Sequence, residues 1–304
     1  MDAQRAGDGQ RTNWGRWGAD DERGALNLLT PPVVAAAAQL CKTGKVYPLG
    51  LPIQHQGMPT FGYRGSPQRL SLRNRADEGA FIEYGAPPDL GANEDVLILA
   101  SHNETHLDAL SHIQSNGTLY NGHSTSSIRT GEGATRCGVD GVGTIVGRGV
   151  VLDLPGMWGL DWLEPGFVVT GEHLDSCAVF QGTDFRSGDI LLVRTGYLDM
   201  WFANGADEEP STQPGLGLDA VSFIADHDIA VVGVDNAGVE AVPFDRDIFL
   251  GGHIELLVNL GVHLIEVLDL RQVASDGVTE CLFVCCPLPV TGAAGSPVNP
   301  VAIT

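Results

Sequence analysis

Positive charge is scarce in this sequence. Its 304 residues include 17 lysines and arginines against 38 aspartates and glutamates, which gives a formal net charge of −21. Nucleic acids and anionic membrane surfaces attract proteins through clusters of lysine and arginine, so this balance argues against both as partners. Solubility is the simplest consequence of the negative charge, and repulsion of anionic small molecules is a second one.

Long apolar runs are absent as well. The amino terminus is polar and lacks the apolar core of a signal peptide, and no segment approaches the roughly 20 apolar residues that cross a bilayer. Cysteine is sparse, and the 6 cysteines show none of the paired spacings of a structural zinc site. Cys281, Cys285 and Cys286 lie in an apolar run, where buried free thiols are usual. We therefore expect reduced cysteines and a cytoplasmic protein.

The sequence context of a serine nucleophile is also missing. A Gly-x-Ser-x-Gly turn does not occur, and Ser296 is followed directly by Pro297. We expect the segment around Ser296 to close on a site through its backbone groups instead.

Glycine and proline, by contrast, are abundant, with 40 and 17 residues. This abundance predicts many tight turns and numerous short strands rather than a helical bundle. In the second half, apolar patterns typical of strands and helices alternate, at residues 189–194, 219–227, 229–234, 254–260 and 262–266. Such alternation indicates an α/β layer fold. The length suits one large domain, which we place at residues 13–304, after a polar and disordered segment over residues 1–12.

Capping residues and prolines mark further elements. Thr30 and Pro31 predict the start of a helix that runs to Cys41, and Thr170 predicts the start of another that runs to Val179. Residues 149–155 read as a strand that ends at a proline.

Two segments in the first half give different signals. Residues 95–100 are rich in β-forming apolar side chains and predict a buried strand. Residues 54–80 lack sustained periodicity, and we interpret them as an excursion over the mouth of a site.

The densest group of side chains that bind metals or move protons lies between residues 102 and 112. It consists of His102, Glu104, His106, Asp108 and His112. Neutral imidazole and carboxylate are ligands that suit zinc and, with a harder preference, manganese. A polar loop whose histidines bond to the backbone is the alternative, and three histidines with an interleaved aspartate favour the metal site. Spacing alone leaves the geometry open. His102 and His106 would share a face of a helix, whereas His106 and Asp108 would share a face of a strand.

This run resembles the signature His-x-Gly-Thr-His-x-Asp-x-Pro-x-His of the metal-dependent cyclase family, which includes bacterial kynurenine formamidases and isatin hydrolases. The resemblance implies that His102, His106 and Asp108 bind metal and that His112 is the general acid/base. Glu104 stands where the family usually has glycine, and Leu110 stands where many members have proline.

Further matches follow in the same order along the chain, at residues 13–18, 116–122, 188–196, 233–236 and 295–300. Together they extend the resemblance from about residue 12 through most of the chain. It implies a layered β/β/α fold with a central mixed β-sheet and an extended N-terminal arm. Trp14 and Trp17 of the arm, with Phe61, could form an apolar lid over the substrate. Packing of the arm on its own core, or on that of a neighbouring subunit, is the favoured alternative.

The formamidase branch of the family implies a second metal ion. The matching residues here are His253 and Glu266, whereas a helix-capping histidine and a locally paired glutamate are the alternative. In the isatin-hydrolase branch, one ion is held mainly by the first three ligands. Glu104 and Asp235 are candidates for hydrogen bonds that orient the site, although Asp235 could equally cap the turn that follows its strand.

The resemblance therefore implies a metal-dependent hydrolase with one or two Zn²⁺ or Mn²⁺ ions per chain. Its substrate would be a small molecule, aromatic or cyclic, with a C–N bond in an amide, formamide or isatin-like ring, or a lactone. A metal-dependent cyclase or isomerase of secondary metabolism, or a non-catalytic metal-binding protein, is the alternative, because Glu104 could fill the coordination position that water needs. We expect a homodimer or homotetramer.

Overall fold

A computed structural model describes residues 4–5, 11–59, 61–204 and 212–304. The segment predicted to be disordered, residues 1–12, falls largely outside these ranges. Of its described residues, Gln4–Arg5 and Arg11–Thr12 pair as short antiparallel strands. Among the described residues, every helix is too short or too polar to cross a lipid bilayer.

A nine-stranded mixed sheet forms the centre of the molecule. Its strands are β1 Val46–Pro48, β2 His106–Asp108, β3 Ile145–Asp153, β4 Ile190–Arg194, β5 Val231–Val234, β6 His263–Glu266, β7 Glu280–Cys285, β8 Gly295–Pro297 and β9 Val301–Ile303. They lie side by side in the order β8-β2-β6-β5-β4-β3-β7-β9-β1. The four strands β3 to β6 are parallel, and the other pairings are antiparallel. The predicted α/β fold with a central mixed sheet is confirmed.

Helices connect and cover these strands. They are α1 Pro31–Ala38, α2 Leu154–Met157, α3 Gly171–Gln181, α4 Tyr197–Asn204, α5 Leu218–Asp226, α6 Gly251–His253 and α7 Arg271–Ser275, and α6 continues as a π-helix over Ile254–Leu260. Short 3-10 helices lie at Gly24–Leu28, Gly62–Arg64, Arg75–Asp77, Ile82–Tyr84, Tyr120–Gly122, Thr125–Ser127, Val139–Gly141 and Asp245–Asp247. Two-stranded pairings outside the central sheet join Gln68–Arg73 to Glu94–Ile98, Ile128–Arg129 to Gly133–Ala134, and Val168–Val169 to Gly215–Leu216.

The core lies on both faces of the parallel strands. Side chains alternate along β4, so Leu191 and Val193 join one buried cluster while Ile190 and Leu192 join another. The first cluster includes apolar residues of α3, α5 and the 254–260 helix. Strands that are buried on both faces read as continuous apolar runs, which explains why β4 and β5 were predictable from the sequence.

The predicted helix starts are confirmed. Helix α1 begins with Pro31 after Thr30, although it ends at Ala38 rather than Cys41. Helix α3 begins with a reciprocal cap, in which Thr170 Oγ1 accepts a hydrogen bond from the His173 amide and His173 Nδ1 accepts one from the Thr170 amide. Such a cap satisfies amides that lack partners inside the helix.

The predicted burial of the strand at residues 95–100 is wrong. The strand forms at Glu94–Ile98, but within the described ranges it pairs with Gln68–Arg73 alone and lies outside the central sheet. Its apolar side chains are therefore exposed, with Leu97 at 60% and Ile98 at 52%. The segment over residues 54–80, predicted as an irregular excursion, contributes the partner strand of this pair.

The N-terminal arm closes the carboxyl end of the 254–260 helix. The Asn13 amide donates to Asn259 O at 3.0 Å, and Trp14 Nε1 donates to Val258 O at 2.7 Å. These bonds satisfy carbonyls that have no partner within a helix end. Trp14 and Trp17 pack on the core of their own chain. The interpretation of these two residues as a substrate lid is therefore corrected, and packing of the arm is the arrangement observed.

The arm is held further by an ion pair, in which the Arg16 guanidinium donates to both carboxylate oxygens of Asp228 at 2.6 and 2.8 Å. Replacement of Arg16 by methionine should lower the free energy of unfolding by about 1 kcal/mol near neutral pH. The Arg16 guanidinium lowers the pKa of Asp228 from its usual 3.8. The pair therefore contributes stability above pH 3.8, and this contribution is lost as the pH falls through the lowered pKa. Urea titrations across this range check the effect, and a difference that grows in acid would contradict it.

Candidate metal centre

The centre is built on β2, which lies between β8 and β6 in the sheet. Because successive side chains of a strand point to opposite faces, His106 and Asp108 project to one face while Leu107 enters the core on the other. On β6, Glu266 stands directly opposite His106. Strand pairing thus brings together residues that are 160 positions apart in the chain.

The ligand atoms of these residues converge in a buried space. His106 Nε2 lies 3.2 Å from Glu266 Oε2, and Asp108 Oδ1 lies 3.6 Å from His106 Nε2. His102, from the preceding turn, places its Nε2 atom 3.4 Å from Asp108 Oδ1. The backbone of Gly295 packs on His102, and a Cβ atom at this glycine would lie 2.4 Å from His102 Nε2. The segment around Ser296 therefore meets the site through its backbone.

His253 enters from α6. Its Nε2 atom lies 3.3 Å from Glu266 Oε1 and 3.8 Å from Asp108 Oδ2. The predicted second-metal pair, His253 and Glu266, is thus brought against Asp108 by the fold. His253 is almost fully buried, as are Asp108 and Glu266.

Glu240 holds His253 and was missed by the sequence analysis. Its Oε1 atom lies 2.6 Å from His253 Nδ1 and accepts the His253 amide at 2.8 Å, while Oε2 accepts the Gly252 amide at 2.9 Å. The carboxylate thus binds the free amides at the start of a helix and leaves His253 Nε2 to face the cluster. Gly252 is the one signal for this contact, because a Cβ atom there would lie 2.8 Å from Glu240 Cδ.

The converging atoms form two sets of three. The first ligand set is His102, Asp108 and His112, the second ligand set is His106, Asp108 and Glu266, and within each set the atoms lie within 4.8 Å of one another. Asp108 belongs to both. Its two carboxylate oxygens and His102 Nε2 are buried and make no hydrogen bond to any described residue. Buried polar atoms are normally paired, so these nitrogen and oxygen donors fit a divalent cation.

Burial and charge act differently on His102 and His106. Burial lowers the pKa of His102 to about 4, which keeps its imidazole neutral. Burial also opposes a charge on His106, but the Glu266 and Asp108 carboxylates outweigh it and raise the pKa of His106. A neutral imidazole offers a lone pair to a metal directly.

The same balance holds at the other end of the cluster. Burial lowers the pKa of His253, but Glu240 and Glu266 overcome this effect and raise it to about 10. Burial raises the pKa of Glu266, yet His106 and His253 hold it well below its usual range. Protons and a divalent cation compete for these imidazole nitrogens, so metal binding should release protons.

Glu104 occupies the position where the cyclase-family signature has glycine. The backbone conformation at this position explains why glycine is usual there. Its φ of 47° lies in the left-handed region that side chains disfavour. Its main-chain carbonyl accepts a hydrogen bond from His106 Nδ1 at 2.8 Å. The Glu104 carboxylate was a candidate for a hydrogen bond that orients the site, whereas the contact with His106 comes from the Glu104 backbone carbonyl. The carboxylate belongs to neither ligand set and makes no hydrogen bond to a described residue.

Replacing Glu104 with glycine should therefore stabilise the protein. The change removes a left-handed side chain, worth about 1 kcal/mol or more, and a carboxylate whose pKa burial raises to about 7. Alanine is the matched control, because it removes the carboxylate and keeps the strained backbone, so it should gain less. Urea unfolding and metal analysis check both variants. A glycine variant that is less stable, or that loses metal, would show that the Glu104 side chain supports the site.

Asp235 lies outside the cluster. Its carboxylate accepts hydrogen bonds from the Thr195 amide, the Thr195 hydroxyl and the Gly196 amide at 2.7–2.8 Å. Burial raises the pKa of Asp235 to about 6 despite these bonds. The residue thus holds the turn between β4 and α4, which is not the turn after its own strand that it was predicted to cap.

A cavity of about 530 Å³ opens onto the cluster. His112, His253 and Glu266 line it at the cluster, and many of its other walls are apolar. Those walls include Phe61, Tyr63, Phe244 and Phe249. Of the three residues predicted as a lid, Phe61 alone lines this cavity among the described residues.

The fold and the cluster define a layered α/β protein with a buried centre of imidazoles and carboxylates beside an aromatic cavity. The profile of the family described as "Putative cyclase" matches residues 47–241. This chain belongs to the cyclase family, as its motifs predicted. A crystal structure described as a novel cyclase is 34% identical, with a TM-score of 0.86 over 96% of this chain and 97% of that one.

Two further relatives have names that state an activity. Kynurenine formamidase of Bacillus cereus is 38% identical over 143 residues, which are 46% of this chain and 62% of that protein. The alignment thus spans less than two thirds of the length of this curated relative. Isatin hydrolase A from Labrenzia aggregata, solved with benzyl benzoate, is 19% identical, with a TM-score of 0.59 over 91% of this chain and 98% of that one. At this identity the likeness shows the fold alone.

Proposed function

We propose that this protein is a metal-dependent hydrolase that cleaves the C–N bond of a small amide, formamide or cyclic amide, with lactones as a related substrate class. The observation that carries the proposal is the pair of ligand sets that share Asp108 at the base of an aromatic cavity. The name of the kynurenine formamidase relative supports the same reaction class.

The residues that would hold metal are His102, His106 and Asp108, joined by His253 and Glu266 when two ions bind. A divalent cation there supplies Lewis acidity and makes water acidic enough to attack a carbonyl near neutral pH. Nitrogen and oxygen donors suit zinc and manganese. Glu240 and the Glu104 carbonyl each bond to the Nδ1 atom of one histidine, which leaves the Nε2 atom to face the cluster.

His112 is the candidate for proton transfer. It lines the cavity, and its ring stacks on that of His102 with 4.1 Å between centroids. It would take a proton from the attacking water and return it to the leaving nitrogen or oxygen. The apolar walls of the cavity would exclude bulk water and hold an aromatic or cyclic substrate against this histidine.

A cyclase or isomerase activity, or a non-catalytic role, was kept open because Glu104 could fill a coordination position that water needs. The Glu104 carboxylate is in neither ligand set, so that reason has no support in the geometry. Hydrolysis is tested with N-formylkynurenine, isatin and simple lactones. A protein that binds metal but turns over none of these substrates would favour the cyclase, isomerase or non-catalytic role.

Metal stoichiometry tests the two ligand sets. We expect about two zinc or manganese ions per chain, because His253 and Glu266 supply donors for a second ion beside Asp108. The change Glu266→Gln removes the anionic ligand that only the second ligand set contains, so the content should fall to about one. Inductively coupled plasma mass spectrometry measures both values. About one ion in the unaltered protein, retained in the variant, would eliminate the two-metal centre.

A further inference from the structure

Arg64 is the one arginine or lysine among the described residues that line the cavity beside the metal centre. Arg64 ends the short helix Gly62–Arg64, and its Nη1 atom donates to the carbonyl of His102. Its Nε atom donates to the Tyr63 hydroxyl at 3.1 Å. The side chain of Asn103 also contacts this loop, because its Nδ2 atom donates a 2.8 Å hydrogen bond to Gly65 O. Arg64 is therefore fixed beside the first residue of the metal motif.

Arg64 has no carboxylate partner in the part of the chain that the structure describes. Other partly or fully buried arginines do, since Arg148 pairs with Asp189 at 2.6 Å and Arg194 pairs with Asp153 at 2.6 Å. A guanidinium carries five N–H donors in a planar fork, and the contacts of Arg64 use only some of them. In a protein of net charge −21, a half-buried arginine without a carboxylate is a feature to explain.

Aromatic rings flank this guanidinium. Its carbon lies 4.9 Å from the centroid of Phe61 and 5.5 Å from that of Tyr63. Such contacts favour a cation and orient its planar fork. The cavity wall thus combines apolar faces, which suit an aromatic ring, with a fork that suits a carboxylate.

We propose that Arg64 selects substrates in which an aromatic ring carries a carboxylate close to the bond that is cleaved. The proposal rests on the proposed function and adds to it the charge of the substrate. The carboxylate must lie close to the cleaved bond because Arg64, which would bind it, contacts His102, which would bind the metal. Arg64 also offsets, at this cavity, the repulsion of anions that the overall charge imposes.

A matched pair of substrates and variants tests the proposal. N-formylanthranilate and formanilide are both aryl formamides, and only the first has a carboxylate. Arg64→Met should lower kcat/KM for N-formylanthranilate by about 10- to 100-fold, mainly through KM, and change that for formanilide by less than about threefold. Arg75→Met is the control, because Arg75 is exposed, has no ion pair to a described residue and does not line the cavity.

Binding of the fluorescent pair anthranilate and 2-aminobenzamide to the metal-loaded protein supplies a readout that needs no turnover. Arg64→Met should weaken anthranilate by about 10-fold or more and leave the neutral amide unchanged. If neither formamide is cleaved, the proposed reaction fails for formamides while this titration still decides the role of Arg64. Equal effects on both ligands, no effect on either, or no binding of anthranilate to the unaltered protein would overturn the proposal.

Discussion

Replacing Asp108 with asparagine should remove the metal and the activity together. Asp108 is the one carboxylate shared by both ligand sets, and it is completely buried. Asparagine keeps the shape but removes the negative charge, so metal affinity should fall by at least ~100-fold. Turnover of an amide substrate should fall by roughly 10³-fold or more, because the Lewis acid is lost. Metal analysis and steady-state kinetics on the same preparation measure the two losses.

Thermal unfolding separates this loss from misfolding. Ligands that bind only the folded state raise its stability, by about 2.7 kcal/mol at 100 times Kd, so added zinc or manganese should raise the Tm of the unaltered protein and not that of Asp108→Asn. Asp235→Asn is the matched control, because it changes a buried aspartate outside the cluster and should keep its metal. A folded Asp108→Asn protein with its metal content intact would contradict the assignment.

Replacing His112 with alanine should have the second largest effect, with a different pattern. Positioned proton transfer is worth ~10²–10⁴-fold, so kcat should fall by that factor. Metal should remain, because His102, His106 and Asp108 retain their ligand atoms. Steady-state kinetics and metal analysis on one preparation separate the two quantities.

The histidine has a competing role that the same experiment decides. Its ligand atom lies within 4.8 Å of those of His102 and Asp108, so it could be a ligand instead. In that case metal and activity would fall in parallel. His55→Ala serves as the control, because His55 bonds to Pro67 O and lies outside both ligand sets.

Much of the fold could be predicted because its signals are local. The strands β4 and β5 are apolar on both faces, and the start of α3 carries its own cap at Thr170. The strand at Glu94–Ile98 shows the limit of such reasoning. Its apolar run resembles a buried strand, but burial depends on what packs against it, and among the described residues it pairs with Gln68–Arg73 alone.

The candidate site divides in the same way. One motif supplied His102, His106, Asp108 and His112, and the structure brings all four together. Residues that act through contacts with distant parts of the chain lie in no recognisable sequence motif. Glu240 meets His253 across 13 positions, and Arg64 meets His102 across 38. Only the fold reveals such contacts.

The central claim is tested most directly by metal reconstitution of the chelator-treated protein. Zinc or manganese is added stepwise while hydrolysis of N-formylkynurenine and isatin is followed. We predict that activity is absent at first, rises in proportion to bound metal, and saturates when the metal sites that share Asp108 are filled. Full metal binding at these residues without cleavage of any C–N bond, or cleavage that persists without metal, would contradict it.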